Sequence, residues 1–133
     1  MRIPSPILFA VVLFAACIPK RDLQPDQIDK LAKLDDVMDV QATVADPQFK
    51  KVGGISYQDA DWAAFADMGS RIQSTSHKIL QFSKGPDFDA LANQLHTKAE
   101  ALSAAATAKD AKAASDTLAQ MKATCKECHS KFK

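Results

Sequence analysis

From Ile28 onward the apolar residues of this chain recur at steps of three and four. Ile28, Leu31, Leu34, Met38 and Ala42 form one stripe, which stops at Asp46-Pro47, where proline pushes the residue before it out of the helical region. A first helix is predicted there. After a polar loop with Gly53-Gly54, a second stripe runs through Trp62, Phe65, Gly69, Ile72 and Ile79, with Asp59 and Asp61 ahead of it as candidate caps. It closes before Lys84-Gly85-Pro86. Phe88, Leu91, Leu95, Ala99 and Leu102 mark a third helix, opened by Gly85 or Asp87, whose outer face is the alanine-rich helix former AEALSAAATAKDAKAAS. Asp110 caps a fourth helix, and on it Leu118, Met121, Cys125, Cys128 and Phe132 are spaced three, four, three and four, the seam of a packed bundle. No stretch alternates with the period of a strand over a useful length. The architecture predicted is therefore all-α, an antiparallel four-helix bundle over residues 27–133.

The N-terminal end is different in kind. Ile7 to Ala16 is unbroken apolar sequence behind a single basic residue, Arg2, and ahead of Cys17. Ten apolar residues fall short of the roughly 20 that a helix needs to cross a bilayer. Residues 1–16 are thus predicted to be a secretory signal. Phe14-Ala15-Ala16-Cys17 resembles the lipobox of bacterial lipoproteins, although Phe14 stands where leucine is usual, and the resemblance implies that Cys17 becomes the lipidated first residue of the mature protein. An ordinary cleaved signal, with Cys17 incidental, is the alternative. Residues 17–26, with two prolines and mixed charge, then form a tether to the bundle.

Composition narrows the class without deciding function. The 133 residues are 47% apolar and 25% charged, as in one ordinary globular domain. Loss of residues 1–16 removes Arg2 and no acid, so 17 basic residues become 16 against 16 acidic ones. A neutral chain has none of the basic bias of a nucleic-acid binder.

The chemistry is concentrated in Cys125-Lys126-Glu127-Cys128-His129. Two thiols three positions apart on a helix can each add to one vinyl group of haem, and His129, one step past Cys128 and a turn past Cys125, projects from the same face as an iron ligand. This is the spacing of c-type haem attachment, and an exported chain reaches the compartment where such haems are attached. A zinc site would need further ligands, and His77 and His96 are single and off the main stripes. A redox-active thiol pair would sit at a helix N-terminus beside a strand, not near the end of a helical chain.

With an aromatic and a basic residue after the motif (Ser130-Lys131-Phe132-Lys133), the last helix resembles that of the cytochrome c′ family. The resemblance spans about residues 26–133 and rests mainly on this motif. It implies one covalent haem c near the C-terminal helix of a four-helix bundle, with Cys125 and Cys128 as thioethers and His129 as proximal ligand. It also implies a choice at the opposite face of the iron, where a methionine on the first helix ligates in some members and an apolar residue blocks the face in others. Met38 is the methionine on that helix, either as ligand or as adaptable core filler. Met68 is a second choice; Met121 lies on the attachment helix itself. Family members often carry an arginine one turn before the distal residue. Here that place is Leu34, with Lys30 and Lys33 nearby.

The function expected is electron transfer by a periplasm-facing monohaem cytochrome, lipid-held at a membrane, with the outer membrane favoured, or soluble in the periplasm if Cys17 is unmodified. Lys122, Lys126, Lys131 and Lys133 could offer a basic rim to a redox partner protein, or simply be solvated. A second expectation is a five-coordinate haem that binds NO or CO, and a third is a haem-free metal-binding or structural lipoprotein. Pairing of bundles into a homodimer is implied by the family resemblance alone. No residue set for substrate turnover is apparent, so no enzyme is expected.

Overall fold

A computed structural model of the protein describes residues 22–133; the signal sequence, Cys17 and the first part of the tether lie outside the described residues. Five α-helices and no strand occur among the described residues: α1 (Pro25–Ile28), α2 (Leu34–Phe49), α3 (Asp59–Ile79), α4 (Pro86–Ala108) and α5 (Ala111–Phe132), with a 3-10 turn at Leu80–Phe82. Each of α2 to α4 packs on the long helix that follows it, whereas α2 and α5 barely meet. The predicted four-helix bundle is present. Its looser side lies between the first and last long helices.

The predicted first helix is broken in two. Ile28 is fully buried against the bundle, and the Asp29 carbonyl, which a continuous helix would engage with the amide four residues on, accepts Lys78 Nζ at 2.7 Å. Helix α2 starts only at Leu34. It also runs two residues past Pro47, because a missing N–H in the last turn removes one bond and not the turn itself, while half-buried Phe49 packs on the core. Before α1, Leu23 packs against the core and Asp22 is ion-paired with Arg71 of α3, so the described end of the tether is docked.

The other helix ends follow their residues closely. Asp61 accepts the Gln58 amide at 2.9 Å, closing the start of α3. Gly85 takes φ +115° ahead of Pro86, a conformation other residues rarely adopt. Asp110 caps α5 by accepting the Ala113 amide at 2.9 Å. Helices α3 and α4 approach closely at Gly69, where a Cβ would collide with Ser103 Oγ and lie 3.0 Å from the Ala99 carbonyl oxygen.

Two apolar clusters fill the bundle. The larger joins Val40, Val44, Trp62, Phe65, Ile72, Leu95, Leu102, Leu118 and Met121 across all four long helices. The smaller, where α2 and α4 begin and α3 and α5 end, has four buried residues, Val37, Ile79, Phe88 and Ala92, surrounded by half-buried Leu31, Leu34, Met38, Leu80, Phe82, Cys128 and Phe132.

Candidate functional site

The stripe that the sequence marks on the first helix does not coincide with the core stripe. The residues of α2 buried by the protein are Val37, Val40, Gln41, Val44 and Ala45, with Val37 and Gln41 one position before Met38 and Ala42. Leu34, Met38 and Ala42 instead line a cavity of about 470 Å³ with Asp35, Asp39, Lys84, Phe88, Cys128, His129, Phe132 and Lys133. Two smaller lobes continue inward. One of about 80 Å³ lies against Gln41, Ala45, Asp46, Phe49, Ile72, Leu95, Met121 and Cys125; the other, about 20 Å³, touches Gln41, Ile79, Leu91, Ala92, Leu95, Thr124 and Cys125. Met38 and His129 border all three, one from α2 and the other from α5.

One wall is thus the attachment motif. Helical spacing turns Cys125, Cys128 and His129 toward the cavity, with Cys125 packed on the larger apolar cluster and Cys128 on the smaller. Both thiols are free. Burial, reinforced by Cys128, pushes the Cys125 thiol up to about 11, and burial likewise raises Cys128. Neither shift favours the thiolate, the form that a redox-active pair uses. Among the described residues no three His, Cys, Asp or Glu side chains come together to hold a metal ion.

The residues fit haem. A flat apolar ring needs apolar walls, and Leu34, Met38, Ala42 and Phe132 provide them while leaving part of their own surface uncovered by protein, with buried Phe88 behind them. Phe88 and Phe132 meet edge to face at 5.4 Å, fixing one side. Acidic haem arms need cations, and the mouth offers Lys84 and Lys133 beside Asp35 and Asp39. Lys84 Nζ also donates to the Phe132 carbonyl at 2.9 Å, tying the end of α5 to the loop before α4.

Several sequence candidates fall elsewhere. Met68 is fully buried in the larger cluster and borders none of these cavities. Met121 reaches one lobe, from the attachment helix itself. His77, off the main stripe, is exposed. His96 is not simply solvent-facing: its Nδ1 lies 3.2 Å from Ser76 Oγ and 3.1 Å from the Gln73 carbonyl, tying α4 to α3. Lys30 and Lys33 are exposed and do not reach the cavity, while Lys131 pairs with Glu127 at 2.9 Å. Of the basic rim proposed from sequence, Lys133 is the member at the mouth. Sequence reasoning missed Lys84 and Gln41, the first because it lies in a loop, the second because a polar residue one step off the marked stripe carries no periodic signal.

The model of the cytochrome c′ family matches residues 26–133 of the chain, which include α2 to α5 and the whole cavity. No curated protein and no solved structure matches it.

Proposed function

This chain belongs to the cytochrome c′ family, whose members are c-type haem proteins of electron transfer or gas binding, and we propose that it is a monohaem electron carrier exported to the periplasm. The observation that carries this reading is the cavity shared by His129 on α5 and Met38 on α2, with both CxxCH thiols in its wall. Haem would supply a one-electron iron couple whose potential is set by axial ligands, burial and hydrogen bonds. Cys125 and Cys128 would hold it covalently, His129 would ligate one face and Met38 the other. The apolar walls would exclude water, and Lys84 and Lys133 would sit by its acidic arms. Among the described residues no helix is long and apolar enough to cross a membrane, so attachment at a membrane surface would rest on acylation of Cys17, which mass spectrometry of the mature N-terminus would detect.

Gas binding is kept as a second reading because the two inner lobes, bordered by Met38 and Gln41, give a small ligand a place beside the iron if Met38 moves away. Haem staining after denaturing electrophoresis tests the main proposal. A stained band should weaken or vanish in Cys125→Ser and in Cys128→Ser, and vanish in the double variant. An unstained wild-type band from cells competent in cytochrome c maturation would remove the cytochrome reading altogether.

A further inference from the structure

Gln41 is a polar side chain in an apolar wall. It is 8% exposed, lies one turn beyond Met38 on α2, and borders both inner lobes together with Met38 and His129. Burial of an amide needs compensation. Part of it comes from Thr75 of α3, itself fully buried, whose Oγ1 accepts from Gln41 Nε2 at 3.1 Å. Thr75 Oγ1 donates its single proton to the Ile72 carbonyl at 3.2 Å, so toward Gln41 it can act only as acceptor. The amide is therefore locked with its nitrogen toward Thr75.

That leaves the second N–H and Oε1 of Gln41 without a hydrogen bond to any described residue. The side chain borders both lobes, so these are the polar groups it can present there. The other buried polar side chain that borders a lobe, Thr124, is on the His129 helix, where it accepts from Lys98 at 2.6 Å and donates to the Gln120 carbonyl at 3.1 Å. Among the described residues that border the lobes, Gln41 is the buried side chain that brings a donor beyond its Thr75 bond to the wall facing His129.

We infer that Gln41, positioned by Thr75, is the hydrogen-bonding contact for a small exogenous ligand, a diatomic such as NO or CO, that occupies the iron face opposite His129 when Met38 is displaced. The amide N–H donates to the electronegative end of that ligand. This rests on the haem reading above and extends its gas-binding branch. The N–H stabilises charge that the iron pushes onto the ligand, so its loss should be visible in the ligand's own bond.

The test uses holoprotein in a Met38→Ala background, which opens the iron face whatever role Met38 plays. Adding Gln41→Leu should raise the C–O stretching frequency of the ferrous CO adduct and speed NO release by about 3- to 10-fold, the size of one neutral hydrogen bond. Thr75→Val, which keeps Gln41 but removes its anchor, should move both readouts in the same direction and by less. Haem staining of each variant accompanies the spectra. A stained Gln41→Leu protein with unchanged stretch and unchanged release would overturn the contact. A shift in Gln41→Leu with none in Thr75→Val would overturn the positioning by Thr75. If Gln41→Leu fails to fold, Gln41→Asn, which withdraws the amide by one methylene, takes its place with the same criteria. Absence of stain from the parent protein would instead remove the haem reading.

Discussion

Around Trp62 and Phe65 the bundle closes on itself: Tyr57, Trp62 and Phe65 meet edge to face at 4.9 to 5.8 Å, Phe65 is fully buried, and helices from all four corners contribute to the packing. At the other end, around Phe88 and Phe132, a small buried cluster is ringed by apolar side chains that the protein only half covers. The same chain length and the same helices produce both. What differs is what faces the apolar surface, protein at the first end and an open cavity at the second. Stability should therefore concentrate in the first cluster and chemistry in the second.

Phe65→Ala should show the largest stability effect, since it truncates a fully buried ring in the closed cluster; about 3–5 kcal/mol of unfolding free energy should be lost in denaturant titration. Next comes Gly69→Val. It must push α3 off α4 against backbone atoms of Ala99 and Ser103, costing about 1–3 kcal/mol by the same assay, while haem staining should be retained because neither Gly69 nor the residues it meets line the cavity or its lobes. A smaller loss there would mean that the seam can spread.

Met38→Ala inverts the pattern. Met38 is half-buried and borders the cavity, so its truncation should cost less stability than Phe65→Ala and yet change the haem most. The weak far-red methionine-to-iron band of the oxidised protein should disappear, the reduction potential should fall as the thioether that favours ferrous iron is lost, and CO should bind readily. A wild-type protein that is already high-spin and open to CO would assign Met38 to packing and bring gas binding forward.

The smallest effect belongs to Asp61 at the start of α3. Its carboxyl is held below the ordinary value of 3.8 chiefly by a hydrogen bond from Lys51 and then by the Gln58 amide. A depressed folded-state pKa gives stability that is present above the unfolded value and fades as pH falls through the folded one. The acid-unfolding curves of wild type and Asp61→Asn should accordingly differ at neutral pH and converge in strong acid.

These contrasts explain what could be seen in the residues beforehand. The stripes of α3 and α4, the Asp110 cap and the CxxCH spacing are local patterns, and each is found where its period places it. Leu34, Met38 and Ala42 also form a true stripe, but it marks the cavity wall, with Leu34 and Met38 only edging the smaller core cluster. Periodicity reports which side of a helix avoids water and is silent about what covers it. The break after Ile28 depends on Lys78 arriving from another helix, and the Gln41–Thr75 pair spans α2 and α3. Neither leaves a mark in local spacing.

The scant meeting of α2 with α5 has a temporal side. Contacts between neighbours in sequence close short loops and form early, whereas joining Met38 to His129 requires the ends of the domain to find each other. In a chain wired this way, the α2–α3, α3–α4 and α4–α5 pairs can each form locally, and the closure of α2 against α5 would come last. That closure would thus be the step that completes the cavity, bringing Met38 and Gln41 to the wall that carries the thiol pair.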